Sequence, residues 1–366
     1  MAVGVIGLGA MGLGIAQVYA QAGHVVRATD AVAGARASAL DRLAVALESR
    51  VAKGAMTVAE RDAVLSRLLV VDRVEDVAPS ELVIEAVAED MNAKRAVFAT
   101  LASVQPDAVL ATNTSSLSVA LLAQGLPTPG KLIGLHFFNP APAMKLVELI
   151  GHAGTDPEAL TTARALTEAA GKTVITAPDR PGFVVNRCAR PFYGEALALL
   201  EEGHTPAAID GAMIAAGYRI GPLSLIDLIG ADINLAATEG LWAAMGGHPR
   251  YHVFRSLREQ VAAGRLGRKT GQGFVFPGAV VAAPDDAIVQ RIEAALVNEA
   301  AWLLAEGGAT ETGIDTAMKL GLNLPRGPFE ILAARGTTIR ATLAALEAAA
   351  PDHLKGRYLP ALRVSA

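Results

Sequence analysis

The sequence predicts an α/β doubly wound domain in its first half and an all-α region in its second half. Between residues 1 and 180, short apolar runs with strand character alternate with segments of helical periodicity, which is typical of a parallel sheet covered by helices. From residue 183 onward the alternation stops and the sequence has helical periodicity throughout. A glycine-rich turn directly follows the first apolar run. We therefore predict two architectures that meet near residue 180.

Composition and charge narrow the class of protein. The 366 residues are 52% hydrophobic, so the chain can bury large cores, and the formal net charge is −4. The sequence has no long basic run, and we expect neither nucleic acid nor a membrane as partner. The uncharged stretch 2–26 is rich in glycine and lacks a basic start, which favours strand, turn and helix over a signal or membrane span. Cys188 is the single cysteine and indicates a reducing, cytoplasmic compartment.

The first element is a predicted strand at 3–6 that leads into a glycine turn and a helix. Gly7 suits the tight turn, Gly9 lets the backbone approach a pyrophosphate, and Gly12 lets the helix pack closely on the strand. The phosphates would lie at the helix N-terminus. This Rossmann-like fingerprint predicts that the domain binds a dinucleotide.

The second predicted strand, at 24–29, ends in Asp30. A carboxylate at this place accepts hydrogen bonds from the ribose hydroxyls of the adenosine half and repels a 2′-phosphate. The sequence therefore favours NAD over NADP as cofactor.

Residues 33–66 are longer than one crossover helix requires, and we predict two helices broken near Lys53 and Gly54. The segment carries five cations: Arg36, Arg42, Arg50, Lys53 and Arg61. One interpretation is an ordinary solvated face. The other is a helical arm that offers cations to a phosphorylated part of the substrate.

Further strands are predicted at 68–71, 82–87 and 108–112, with an amphipathic helix at 92–103. Polar side chains follow these strands and the next one: Glu89, Lys94, Asn113, Ser115 and His136. Ligands of doubly wound sheets bind at the carboxyl ends of the strands, so we expect these groups to converge on one edge. A turn with a helix cap is the simpler interpretation of Asn113 and Ser115.

The segment 131–150 holds the strongest indication of chemistry. An apolar run ends in His136, turns through Asn139 and prolines, and returns as a second run that contains Glu148. A buried carboxylate needs a partner, and the imidazole brought back by the turn is the nearest one. The pair is typical of a histidine base with its orienting carboxylate. A core histidine with one hydrogen bond is the alternative.

We predict three domains, at 1–180, 181–280 and 284–366. The last two are predicted copies of one helical domain, because the second half matches itself. Residues 195–203 match 299–307, and the pairs Ile209-Asp210, Gly221-Pro222 and Arg250-Tyr251 recur as Ile314-Asp315, Gly327-Pro328 and Arg357-Tyr358. Asn186 lies at the start of the first copy, either as a cap or as a group that faces the cleft between the domains, and Gln290 replaces it in the second.

These motifs together resemble the L-3-hydroxyacyl-CoA dehydrogenase family over nearly the whole chain. The resemblance is carried by VIGLGAMGLGIA, VIEAVAED, NTSS, LHFFNPAPAMKLVELI, PGFVVNR, GPLSLIDLIGAD and GRKTGQGF, in this order. Departures are a Val-Phe-Pro after Phe274, where a tyrosine is more usual, and an abbreviated second copy.

The resemblance implies roles by position. His136 corresponds to the catalytic base, Glu148 to its partner, and Ser115 and Asn186 to groups near the reacting oxygen. Asp30, Glu89, Lys94 and Asn113 fall on cofactor positions, and Lys53 lies in the arm that meets CoA.

The implied reaction is NAD-dependent oxidation of an L-3-hydroxyacyl-CoA. Two other functions remain open, namely a dehydrogenase of a free 3-hydroxy acid or sugar acid and a catalytically silent NAD-binding protein. We expect a monomer or homodimer, because the second copy can replace a dimer contact.

Overall fold

The computed structural model describes residues 2–365, and the chain forms two compact units. The first unit ends at Phe183 and the second begins at Val184. The first is α/β and the second is helical, as the sequence predicts.

The first unit is built on a twisted sheet of mixed direction. Its strands are β1 Ala2–Ile6, β2 Val25–Thr29, β3 Leu68–Val70, β4 Leu82–Glu85, β5 Val109–Thr112, β6 Leu132–Phe137, β7 Leu146–Gly151 and β8 Thr173–Pro178. Their spatial order is β3-β2-β1-β4-β5-β6-β7-β8. All neighbours are parallel apart from β6 and β7, which form the antiparallel pair that the turn after His136 predicts.

Seven helices flank the sheet within the described part of the first unit. They are α1 Ala10–Gln21, α2 Ala33–Ala37, α3 Ala39–Ala52, α4 Val58–Arg67, α5 Met91–Val104, α6 Val119–Ala123 and α7 Pro157–Ala169. The segment 33–66 holds three helices rather than two. The predicted break follows Lys53, where Gly54 has a φ of +68°, and Thr57 with Glu60 then starts α4 through a capping box.

The central strands of this sheet are apolar because they lie in the core of the unit. β4 and β5 are buried along their whole length, as expected of central strands covered by helices on both faces. The strands β1, β4 and β5 run parallel, so their carboxyl ends lie at one edge, where the polar segments after each strand also begin.

The second unit is helical. Its helices are α8 Val185–Cys188, α9 Arg190–Glu201, α10 Pro206–Ala215, α11 Pro222–Ile229, α12 Ala231–Ala244, α13 Arg255–Ala262, α14 Asp286–Ala305, α15 Glu311–Leu322, α16 Pro328–Ala349 and α17 Leu362–Ser365. Extended pairing in the described part of this unit is limited to one isolated bridge between Gly267 and Gln272. Among residues 2–365, no helix is long and apolar enough to span a bilayer.

One structural feature occurs twice in the second unit, at positions that the sequence repeat pairs. Asp210 accepts backbone hydrogen bonds from Leu223 and Ser224 at the start of α11, at 2.9 and 2.8 Å. Asp315 accepts them from Phe329 and Glu330 at the start of α16, at 2.8 and 3.2 Å. Each aspartate thus caps a helix that begins at the proline of a Gly-Pro pair. The recurrence occurs at positions paired by the sequence repeat, and the division of this unit into two copies stays a prediction.

Candidate active site

The antiparallel register of β6 and β7 places His136 directly opposite Glu148. The two side chains meet at 2.7 Å between Nδ1 and Oε2. Both are buried, with 6% of His136 and none of Glu148 exposed. The structure therefore brings together the pair that the sequence predicts, and strand pairing rather than a flexible loop fixes its geometry.

The hydrogen bond to Glu148 sets the tautomer of His136. An ionised carboxylate only accepts hydrogen bonds, so Nδ1 carries the proton and Nε2 has the free lone pair. The imidazole also contacts the rings of Phe138 and Phe183, at centroid distances of 4.6 and 5.7 Å. These aromatic contacts hold the ring in a largely apolar environment, and Nε2 is the nitrogen able to accept a proton.

Glu89 organises the loop after β5. Its Oε1 accepts hydrogen bonds from the Thr114 hydroxyl at 2.5 Å, the Ser115 backbone N–H at 3.0 Å and the Ser116 hydroxyl at 2.9 Å. Burial opposes ionisation, but these hydroxyls and the Lys94 ammonium lower the pKa of Glu89 below its usual value. The side chain of Ser115 stands in an exposed position on a loop that Glu89 fixes.

Lys94 is buried, with 1% exposed, and its charge is matched by two carboxylates. Its Nζ lies 2.7 Å from Glu85 Oε1 and 3.2 Å from Glu89 Oε2. Thr112 donates its hydroxyl to the other oxygen of Glu85 at 2.8 Å. Lys94 thus contacts the Glu89 side chain that also binds the loop after β5. The sequence analysis missed Glu85, although a glutamate within an apolar strand is the same signal that singled out Glu148.

Asn113 connects the ends of two neighbouring strands. Its Oδ1 accepts a hydrogen bond from the Phe137 backbone N–H at 2.8 Å. Since Phe137 follows His136, this bond fixes the end of β6 on which the histidine lies. The structure gives Asn113 this bridging role at the place where a cofactor contact is predicted.

The glycine turn has the form that a dinucleotide requires. Gly7 has a φ of +100°, and a Cβ at Gly12 would lie 1.9 Å from the carbonyl oxygen of Gly7. Apart from Gly9 itself and its two chain neighbours, no atom of the described residues lies within 4 Å of the place where a Cβ of Gly9 would be, so a phosphate can approach this backbone. The first turn of α1 has no side-chain cap and no acidic residue. These residues fit a pyrophosphate at the helix N-terminus.

Asp30 lies beside this turn and is fixed by backbone hydrogen bonds. Its two carboxylate oxygens accept from the N–H groups of Leu8 and Val32, at 2.7 and 2.8 Å. Both oxygens keep lone pairs for ribose hydroxyls.

Two arginines of the segment 33–66 bind backbone carbonyls, one on the glycine turn and one at Asp30. Arg42 donates to the Leu8 carbonyl at 2.8 Å, and Arg36 donates to the Asp30 carbonyl at 2.6 Å. These cations serve the cofactor domain itself, which the sequence analysis did not anticipate. Arg61 pairs with Glu48, at 2.6 Å. Lys53 is exposed just after α3 and keeps its predicted place at the break between α3 and α4.

Asn186 lies in the second unit, in the four-residue helix α8. It is half-buried, whereas residues 183–185 and 187–190 are buried. Arg190 Nε donates to its carbonyl oxygen at 3.0 Å.

The chain is similar to known dehydrogenases over most of its length. The family profile described as "3-hydroxyacyl-CoA dehydrogenase, NAD binding domain" matches residues 2–180. The profile described as "3-hydroxyacyl-CoA dehydrogenase, C-terminal domain" matches residues 182–276 and 288–363.

Individual relatives agree with the profiles. The 3-hydroxyadipyl-CoA dehydrogenase of Escherichia coli (strain K12) is 43% identical over 274 residues, which are 74% of this chain and 58% of that protein. This chain therefore spans little more than half of that relative. The probable 3-hydroxybutyryl-CoA dehydrogenase of Bacillus subtilis (strain 168) is 41% identical over 74% of this chain and 95% of itself.

A solved structure matches both units. The crystal structure of 3-hydroxybutyryl-CoA dehydrogenase from Escherichia coli K12 superposes with a TM-score of 0.93 and 32% identity. The match covers 100% of this chain and 97% of that one.

Proposed function

The chain belongs to the 3-hydroxyacyl-CoA dehydrogenase family and is an NAD-dependent oxidoreductase of 3-hydroxyacyl-CoA, and we propose that His136 and Glu148 carry its proton transfer. The observation that supports this proposal is their cross-strand hydrogen bond of 2.7 Å in a buried setting. A buried carboxylate that serves only packing would be costly, whereas a carboxylate that stabilises an imidazolium has a chemical use.

The proposed substrate is an L-3-hydroxyacyl-CoA. Nε2 of His136 accepts the proton of the 3-hydroxyl group, and the positive charge that forms on the ring is stabilised by Glu148. The proton returns to the oxygen when the 3-oxoacyl-CoA is reduced. When bound, the nicotinamide ring supplies the two-electron acceptor for the hydrogen at C3.

Ser115 and Asn186 are proposed to hydrogen-bond the substrate oxygen whose charge changes. The support for Ser115 is its exposed place on the loop that Glu89 fixes, at the carboxyl edge of the sheet. The support for Asn186 is the motif PGFVVNR, which matches the family's pattern. Donors placed where charge develops lower the barrier because they need no reorganisation during the reaction.

The residues proposed to hold NAD are those of the glycine turn and the acidic group after β2. Gly7, Gly9 and Gly12 shape the backbone for the pyrophosphate, and Asp30 accepts the ribose hydroxyls. Glu89, Lys94 and Asn113 are proposed to support the nicotinamide half. Their contacts with the loop after β5 and with the end of β6 place them at the same edge.

Lys53 is proposed to meet the phosphates of CoA. Its exposed position at the end of α3 and its positive charge support this role. We also propose a cytoplasmic location and a place in fatty-acid β-oxidation or related acyl-CoA catabolism.

One assay separates the proposed function from its alternatives. NADH oxidation is followed at 340 nm with acetoacetyl-CoA, with acetoacetate and with no acceptor. The proposal predicts turnover with the thioester only. Turnover with acetoacetate would indicate a dehydrogenase of free acids, and no turnover with either acceptor would indicate a silent NAD-binding protein.

A further inference from the structure

The helix that carries Asn186 is a single turn, joined to α9 through Ala189. α8 has four residues, and a single turn of helix is unstable without tertiary contacts. Its next residue, Arg187, is fully buried. A buried guanidinium requires anionic partners, so the placement of α8 depends on where those partners lie.

The partners of Arg187 come from the predicted second copy, at 284–366. Its Nε donates to Glu299 Oε1 at 2.7 Å, and its two terminal nitrogens donate to the two oxygens of Glu306, each at 2.7 Å. This bidentate arrangement fixes direction as well as distance. Glu299 is held in turn by the Tyr251 hydroxyl at 2.6 Å and by Arg250 at 3.0 Å.

The same network occurs a second time with the roles of the two segments exchanged. Arg291 Nε donates to Glu195 Oε2 at 2.8 Å, and its terminal nitrogens donate to both oxygens of Glu202 at 2.6 and 2.8 Å. Arg357 and Tyr358 bind Glu195, as Arg250 and Tyr251 bind Glu299. The two networks therefore have similar chemistry.

The two networks differ in the residue that precedes the arginine in sequence. Arg187 follows Asn186, whereas Arg291 follows Gln290 inside the continuous helix α14. The motif PGFVVNR contains Arg187 as its last residue and does not recur at Arg291. One network thus borders a proposed reaction group, and the other provides a natural structural control.

We propose that Glu299 and Glu306 are positioning residues for the reaction, because they hold Arg187 and thereby the α8 turn that presents Asn186. This inference rests on the proposed function, in which Asn186 hydrogen-bonds the reacting oxygen. In this proposal the second copy affects catalysis, although none of its residues contacts the substrate. A displacement of about 1 Å in a reacting group can lower a rate by about 10²-fold, so loss of this anchor affects turnover.

The direct test is Glu306→Gln in the full chain. Glu306 is suited because its side chain is 30% exposed, whereas Glu299 is buried and its variants can fail to fold. We expect kcat for acetoacetyl-CoA to fall by about 10- to 100-fold. The KM for NADH should stay unchanged. The matched control is Glu202→Gln, which breaks the corresponding bidentate pair of Arg291 and should lower the melting temperature without this loss of kcat.

A double-mutant cycle with Asn186→Ala distinguishes positioning from general stability. If Glu306 acts through Asn186, then Glu306→Gln has little further effect on kcat once Asn186 is removed. Equal kcat losses in Glu306→Gln and Glu202→Gln, or full additivity with Asn186→Ala, would overturn the inference. An inactive wild-type chain, or a wild-type kcat in Asn186→Ala alone, would instead contradict the proposed function.

Discussion

At the scale of single residues, Glu148 is proposed to act through the imidazole of His136, which it contacts. Replacement of its carboxylate by an amide keeps a hydrogen-bond acceptor for Nδ1 of His136 but removes the charge that stabilises the imidazolium. We expect Glu148→Gln to lower kcat by about 10²-fold. Steady-state kinetics with acetoacetyl-CoA measure kcat, and a thermal unfolding curve measures the stability of the variant. A variant that loses stability but keeps its rate would reduce Glu148 to a packing residue.

Asp30 is proposed to favour NAD over NADP. Its carboxylate already aligns the glycine turn through Leu8 and is proposed to accept the ribose hydroxyls. Removal of a charged hydrogen-bond partner typically costs about 1.5–3 kcal/mol, so Asp30→Ser should weaken NADH binding by roughly 10- to 100-fold. The variant should also discriminate less against NADPH. Fluorescence titration measures both affinities.

Asp62→Asn is the control for Asp30, since that aspartate side chain is 58% exposed and pairs with Arg61. Unchanged NADH affinity in Asp30→Ser would contradict the assignment.

The residues that sequence reasoning found share one property. His136 and Glu148 stand out because polar groups in apolar strands carry a desolvation cost that only function or pairing offsets. Glu85 has the same property and was missed, because its partner Lys94 is nine residues away in the next helix and was assigned to the cofactor. The role of Arg42 could not be predicted, because the Leu8 carbonyl that it binds lies 34 residues away in sequence.

At the scale of elements, the cations of the arm formed by α2, α3 and α4 fall into two groups. Arg36, Arg42 and Arg61 are engaged within the protein, and Lys53 is exposed at the break. Charge reversal in Lys53→Glu should raise KM for CoA thioesters several-fold and leave KM for NADH unchanged. The physical reason is repulsion of the CoA phosphates.

The control for the arm uses a truncated substrate. A thioester that lacks the nucleotide end of CoA should show the same KM with the wild type and with Lys53→Glu. An equal rise in KM for both substrates would show that Lys53 does not act on the phosphates.

The start of a helix was predictable where the capping residue is adjacent to it in sequence. The helix starts at Thr57 and Asp90 have side-chain caps that sequence shows directly. The short helix α6 is different, because part of its cap comes from Asp179, which accepts hydrogen bonds from Val119 and Ala120 at 3.0 and 2.8 Å. A cap supplied from some sixty residues away in sequence is invisible to local reasoning.

At the scale of the whole molecule, the exchanged ion-pair networks have the self-complementary form of an isologous contact. Each predicted copy offers an arginine to the other and accepts one in return, as Arg187 with Glu299 and Arg291 with Glu195. We propose that the second copy occupies within one chain the place that a partner subunit would take. Light scattering should then show a monomer or a weak dimer. A tight dimer centred on residues 284–366 would contradict this proposal.

The sequence predicts the architecture of both halves well, because the first half alternates strand and helix patterns and the second half has helical periodicity alone. The internal repeat was detectable because Glu195 and Glu299 lie in matching helical contexts. The ion pairs between the two copies could not be predicted, because the arginines that bind these glutamates are far away in sequence. The acyl-chain preference also depends on such distant contacts, and neighbouring chain lengths differ by only about 1–3 kcal/mol per methylene in binding.

The central claim is that Nε2 of His136 transfers the substrate proton. The most direct test is kcat of His136→Gln with acetoacetyl-CoA, alongside NADH affinity from fluorescence titration. A positioned acid–base group contributes about 10²–10⁴ in rate, and we predict a loss of that size with NADH affinity preserved. A variant with near-normal kcat would remove His136 from the mechanism and contradict the account.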